Sequence, residues 1–161
     1  MQVAESVVEL IGRTPMVRLG ALKEPGEADV FAKLEYLNPG MSVKDRTALG
    51  LIRDAEERGE LKPGGTILEA TAGNTGVGLA LVGASRGYRV VIVMVEGYAR
   101  EKMTLIRGLG GEIVLVPHEA GIAGAVAKAN ELAAAIPGAV PMRQFESEAN
   151  PRVHYETTGP E

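Results

Sequence analysis

Apolar and polar positions along this chain change period several times, and the changes mark its elements. Val7, Val8 and Ile11 recur at helical spacing until Gly12, which predicts a short helix. Pro15 pushes Thr14 towards extended geometry, so an extended segment is expected over 14–19. Glu24, Pro25 and Gly26 read as a turn, and residues 29–35 alternate well enough for a strand. From Ser42 the pattern becomes helical, with Leu49, Ile52 and Ala55 on one face. Asp45, three residues after Ser42, fits the acidic partner of a capping box, and Gly59 ends the run.

Beyond Lys62, Pro63, Gly64 and Gly65, which form a turn, one unit recurs. Short apolar strands are predicted over 66–70, 89–94, 112–116 and 139–142, with helices over about 75–86, 100–109 and 121–136 between them. Gly87, the pair Gly110 and Gly111, and Pro137 with Gly138 stand where each helix should stop. Strands alternating with helices of this length predict an α/β fold, with a parallel sheet and right-handed crossovers in a three-layer αβα arrangement. The strands open at nearly even spacing but their sequences do not match, so this is fold grammar and not an internal repeat. In such sheets ligands gather at the carboxyl ends of the strands, here 71–75, 95–99, 117–119 and 143–145. A last helical turn is expected from Asn150 and Pro151.

Composition narrows the function. At 161 residues and 45% hydrophobic the chain can bury one ordinary core, built from aliphatic residues because aromatics are only 4%. A net charge of -4 and a pI near 5.3 argue against nucleic-acid or anionic-membrane partners, which need clustered basic surface. The absence of cysteine excludes a disulfide framework, a thiolate nucleophile and a cysteine-bound metal. The first residues do not resemble a secretory leader and no apolar run approaches a membrane span, so a cytoplasmic protein acting on a small molecule is expected.

Two stretches carry candidate chemistry. In Leu-Asn-Pro-Gly-Met-Ser-Val-Lys-Asp-Arg, residues 37–46, Lys44 falls in the first turn of a helix. There the free N–H groups disfavour a second positive charge and so favour the neutral amine a nucleophile needs. The bland reading is a solvated surface lysine between Asp45 and Arg46. In Glu-Ala-Thr-Ala-Gly-Asn-Thr-Gly, residues 69–76, a strand-to-helix loop offers main-chain N–H groups, two hydroxyls and a carboxamide, a cradle for a carboxylate or phosphate. Its glycines do not follow the dinucleotide order, and Met94 stands where an acidic residue would meet a ribose, so nicotinamide binding is not expected. His118 and His154 have no partner at ligand spacing and no metal is proposed. Asp54, Glu56 and Glu57 read as a solvated helix face.

These two stretches, with Ile-Gly-Arg-Thr-Pro-Met-Val-Arg-Leu at 11–19 and His-Tyr-Glu-Thr-Thr-Gly-Pro-Glu at 154–161, resemble the cysteine synthase (O-acetylserine sulfhydrylase) and cystathionine β-synthase family. These are fold-type II pyridoxal-phosphate enzymes, with a fold similar to that of the tryptophan synthase β chain. The resemblance implies that Lys44 is the Schiff-base lysine and moves the substrate α-proton, and that Asn74 hydrogen-bonds the ring hydroxyl of pyridoxal 5'-phosphate. It further implies that Thr71, Ala72, Gly73, Asn74 and Thr75, with Gln144, hold the substrate's carboxylate. The implied reaction is β-replacement, O-acetylserine and sulfide giving cysteine and acetate, with serine and homocysteine as the alternative pair. A non-catalytic remnant that binds an amino acid, an anion or a protein is the alternative of another class.

Family members are about twice as long, so the resemblance covers an N-terminal half, a truncated form without the loop that holds the cofactor phosphate. It implies that 1–37 belong to an incomplete larger cofactor domain, 38–145 form a small mobile α/β domain, and 146–161 begin a further larger-domain segment. The chain departs from the family pattern at Met-Val-Glu-Gly-Tyr-Ala, residues 94–99, and at Ser147 and Glu148, where Asn-Pro is usual. Leading strands without their usual neighbours would favour self-association, so a homo-oligomer such as a dimer, or pairing with a complementing C-terminal half, is expected.

Overall fold

The computed structural model describes residues 3–24 and 26–161, so Pro25 of the expected turn lies outside the described residues. Four strands form one parallel sheet: β3 (Thr66–Ala70), β4 (Arg89–Val95), β5 (Glu112–Val116) and β6 (Ala139–Pro141), in the order β5-β4-β3-β6. They are joined by α2 (Asn74–Arg86), α3 (Arg100–Gly108) and α4 (Gly121–Ala135). Leu68 pairs with Val91 and Val93 with Val114, a register that sorts side chains cleanly onto two faces. Ile67, Val90, Ile92 and Met94 face α2, α3 and a further helix, α1 (Lys44–Glu57). Ala70, Val93, Val95 and Val116 face Ala125 and Ala129 of α4. The result is the expected three-layer α/β arrangement, and its core is aliphatic throughout.

Helix ends obey the glycine signals. Gly87 closes α2 at φ 74, in the left-handed region that residues with a Cβ seldom adopt. Glycine also sets how closely two helices approach: a Cβ on Gly50 would lie 2.8 Å from Cβ of Val153 in α5 (Ala149–Val153), which continues as a wider helical turn, His154–Thr158.

Ahead of this body the predicted helix is one 3-10 turn, Val7–Leu10. The two leading strands shorten to β1 (Met16–Arg18) and β2 (Phe31–Lys33), which pair with each other antiparallel, Val17 opposite Ala32. Met16, Val17, Val30 and Phe31 are all exposed, and the guanidinium of Arg18 sits over the Phe31 ring at 5.2 Å. A two-stranded ribbon is marginal alone; here Lys33 and Glu35 tie it to the body through ion pairs. The helix face expected to be solvated is also tied down: Asp54 pairs with Arg58 and Arg152, and Glu56 with Arg86 and the Tyr88 hydroxyl.

Candidate active site

Helix α1 begins at Lys44, two residues after the expected start, and its opening turn is built differently from a capping box. Ser42 Oγ accepts the Lys44 N–H at 3.2 Å, but the Asp45 carboxylate reaches past Ser42 to the N–H of Gly40. Gly40 is required there, since a Cβ would collide with that carboxylate. The second Asp45 oxygen, Oδ1, is buried without a partner. Burial pushes the Asp45 carboxyl up to about 6, with the charge of Glu35 adding to the rise and the Gly40 N–H opposing it.

The bland reading of a solvated Lys-Asp-Arg run fails for its flanks, since Asp45 is 0% and Arg46 2% exposed. Arg46, itself buried, is the centre of an ionic cluster whose other members are partly exposed. It makes paired bonds to Glu35 (2.9 and 3.0 Å) and to Glu161 (2.6 and 2.7 Å), and donates to Thr157 and Thr14. Lys33 joins Glu161 at 2.7 Å. The Arg46 guanidinium and Lys33 hold the Glu161 carboxyl well below the usual carboxylate range. Lys44 stands apart: it is half-buried, and its amine makes no hydrogen bond or ion pair among the described residues.

Strand β3 delivers the second stretch. Thr71 N–H still bonds Val93, and Thr71 Oγ1 then accepts the Gly73 N–H at 3.2 Å, which turns the chain into α2. Thr71, Gly73 and Thr75 are buried; Ala72 and Asn74 are exposed. A Cβ on Gly76 would touch Thr71, Ile92 and Ile106. Gly78 decides where this loop sits relative to Lys44: a Cβ there would lie 2.9 Å from the Lys44 carbonyl oxygen and 3.2 Å from Asp45 Cα. The two helices therefore cross backbone against backbone at the first residue of α1. Asn74, one turn before Gly78 on the same face of α2, lies at that same end. The Lys44 backbone therefore touches α2 one turn beyond Asn74.

Gln144 completes the constellation from beyond β6. Thr75 Oγ1 donates to Gln144 Oε1 at 2.6 Å, and Gln144 Nε2 donates to the Ala70 carbonyl at 3.3 Å. The hydroxyls of Thr71 and Thr75 and the carboxamide of Gln144 are therefore turned inward, on partners within the chain. Four participants carry no assignment from the sequence. Glu69 accepts N–H bonds from Ala70 (2.9 Å) and Gln144 (3.0 Å), Asn150 donates to the Gln144 carbonyl, and Thr47 donates to Asn150 at 3.1 Å. His154 then meets Thr47 through Nε2 at 3.2 Å and Thr158 through Nδ1 at 2.8 Å. Since the Thr47 hydroxyl proton goes to Asn150, Thr47 accepts from His154, which places the ring proton on Nε2. Burial lowers the His154 pKa, and the charges of Lys44 and Arg46 push the same way. A carboxylate in the buried Thr-Ile-Leu-Glu-Ala strand was the one legible signal for any of these.

Hollows elsewhere, such as those lined by Asp54, Arg58, Arg143 and Glu146 and by Val3, Glu9 and Arg13, include neither Lys44 nor Asn74. Chemistry, and not the depth of a cavity, marks the site: an unpaired half-buried amine, an exposed carboxamide and a loop of N–H groups and hydroxyls. A free amine can condense with an aldehyde, and an exposed carboxamide can hydrogen-bond a hydroxyl.

The sequence profile of the pyridoxal-phosphate dependent enzymes matches residues 7–161. The chain belongs to this family. It is 45% identical over 161 residues to a probable cysteine synthase of Bacillus subtilis (strain 168), covering all of this chain and 52% of the relative. It is 48% identical over 157 residues to a cysteine synthase of Staphylococcus aureus (strain Mu50 / ATCC 700699), covering 98% and 50%. The chain thus spans about half the length of the curated relatives it matches. Among solved structures it superposes on O-ureido-L-serine synthase with a TM-score of 0.93 at 48% identity, over 99% of this chain and 50% of that one. It superposes on the O-acetylserine dependent cystathionine β-synthase of Helicobacter pylori with a TM-score of 0.92 at 38% identity, over 99% and 53%. The fold is that of the fold-type II pyridoxal-phosphate enzymes, and the family's cofactor is pyridoxal phosphate. No helix among the described residues is long and apolar enough to cross a membrane.

Proposed function

We propose that these residues are the lysine-bearing and substrate-binding half of a cysteine synthase-type enzyme, which replaces the acetyloxy group of O-acetyl-L-serine by sulfide to give cysteine and acetate. The observation that supports this reading is the Lys44 amine, unpaired among the described residues, on a backbone that touches Gly78 one helical turn from Asn74, in a chain 45% and 48% identical to the two cysteine synthases. Lys44 would hold pyridoxal phosphate at its aldehyde carbon and Asn74 its ring hydroxyl. When bound, the cofactor supplies an electron sink for charge developing at the substrate's Cα.

The chain's own residues handle position and protons. Main-chain N–H groups at the start of α2, with the Thr71 and Thr75 hydroxyls, receive the substrate carboxylate, where the positive helix end favours an anion. To do so Thr75 must turn from Gln144 towards the ligand, and Gln144, released, can follow. The Lys44 amine takes the proton from Cα as the Cβ–O bond to acetate breaks, and returns it to Cα once sulfide has formed the Cβ–S bond. An oxygen nucleophile in place of sulfide is the second reading, favoured by the 48% identity to O-ureido-L-serine synthase.

Pyridoxal phosphate added to the purified chain should develop a visible absorption band that Lys44→Ala abolishes. Cysteine formation from O-acetylserine and sulfide should then exceed product formation from serine and homocysteine. No band, or a band unchanged in Lys44→Ala, would overturn the reading.

A further inference from the structure

Below the loop, Glu69 is the feature that the reaction leaves unused. Its side chain is 4% exposed, inside a strand whose other members are apolar or hydroxylated. A carboxylate there is costly unless its oxygens are filled, and both are: Oε1 takes the Ala70 N–H and Oε2 the Gln144 N–H, 75 positions away in sequence. The second bond pins Gln144 where its own carboxamide closes two more contacts, one to the Ala70 carbonyl and one from the Thr75 hydroxyl. From the other side Asn150 bonds the Gln144 carbonyl. Gln144 therefore sits between two fixed points, and through it so does Thr75. Arg143, immediately before it, has φ 50, a left-handed conformation a residue with a Cβ keeps only when its neighbours hold it there.

We propose that Glu69 is a positioning residue for the amino-acid site, holding Gln144 by its main chain so that the Gln144 carboxamide keeps the Thr75 hydroxyl poised at the loop until the substrate's carboxylate takes it over. This rests on the reading of Thr75 and Gln144 as carboxylate contacts, but the alignment itself can be tested without any ligand. Burial pushes the Glu69 carboxyl up to about 7, with the charge of Glu146 adding to the rise and the two N–H bonds opposing it. The charged residues lining the hollow beside Glu69 are Arg143 and Glu146; the groups bonded to it directly are neutral. As pH falls through this range, the anion that both N–H groups address gives way to an acid whose one carbonyl oxygen can accept from only one of them.

The test uses the whole chain labelled with nitrogen-15. In the unmodified protein the main-chain amides of Ala70 and Gln144, the Gln144 carboxamide and the Thr75 amide should shift together with one midpoint near 7. In Glu69→Gln, which can offer an acceptor to only one N–H, that common transition should vanish while the amides of α4 keep their positions. O-acetyl-L-serine should then shift the Thr71 to Thr75 amides of the unmodified protein, with about tenfold weaker binding in Glu69→Gln, the factor for one lost hydrogen bond. Uptake of pyridoxal phosphate at Lys44 should be unchanged. If Gln144 and Thr75 do not follow Ala70 through the titration, the proposal is wrong, and this arm needs no variant to fold. If they do follow it but O-acetyl-L-serine binds both proteins equally, Glu69 is structural only and the proposal is again wrong. If they follow it and the unmodified protein shows no response to O-acetyl-L-serine, the alignment stands and the function reading falls.

Discussion

Replacing Gly78 by alanine tests the contact that places Lys44. The new Cβ would stand 2.9 Å from the Lys44 carbonyl oxygen, 3.0 Å from Ala48 Cβ and 3.2 Å from Asp45 Cα. Two of these are backbone atoms in a helix, which cannot swing aside, so α1 and α2 must separate. Overpacking of this kind costs about 1–3 kcal/mol, offset by about 1 kcal/mol because alanine favours the helix over glycine. The net loss is then roughly 0–2 kcal/mol. Gly108→Ala is the matched control: it ends α3, nothing lies within 4 Å of its Cβ, and it should be neutral or stabilising by up to about 1 kcal/mol. The two variants should differ by up to roughly 3 kcal/mol, or up to about 12 °C in thermal midpoint for a domain of this size. Gly78→Ala should also take up pyridoxal phosphate more slowly, because the separation moves Lys44 away from Asn74. Equal midpoints and equal uptake in the two variants would show that the crossing does not fix the lysine.

Arg46→Met should destabilise the chain by about 3 kcal/mol in urea unfolding, because Glu35 and Glu161 are left as neighbouring charges without their shared partner; an unchanged midpoint would refute this. Glu35 and Glu161 have folded values below the ordinary 4.5, so the stability they lend is present above it and lost as pH falls through the lowered values. That acid-side loss should be smaller in Arg46→Met. Asp45 behaves oppositely: raised from 3.8 to about 6, it favours the folded state at low pH and loses that contribution as pH rises through this window. The thermal midpoint of the native protein minus that of Asp45→Asn should therefore fall between pH 3.8 and about 6, and a flat difference would contradict it. Thr75→Val leaves Gln144 Oε1 without its donor and should cost about 1–3 kcal/mol in thermal or urea unfolding.

The strands and helices of the body were legible because period and glycine stops agree: Thr66–Ala70 and Glu112–Val116 form as read, and β4 gains only Val95. The ends were harder. Asp45 has the capping-box spacing, yet Gly40 folds close enough to take its carboxylate first, a competition that depends on the turn at Met41, φ 67, and not on spacing. The leading helix contracts to one 3-10 turn because only Val8 of its residues is buried. Lys44, Asn74, Thr71, Thr75 and Gln144 were nameable through family motifs, but nothing local joins Gln144 to Glu69 or Thr47 to His154. Those contacts join residues 75 and 107 positions apart, and the first exists only once β6 lies beside β3.

Arg46 joins Glu35, eleven positions before it, to Thr157 and Glu161, over a hundred after it. During synthesis, when domains fold as they leave the ribosome, α1 and the ribbon before it emerge long before the residues that neutralise that guanidinium on its far side. Glu35 is available to Arg46 from the start, but the second half of the cluster closes only when Thr157 and Glu161 have emerged and packed against α1.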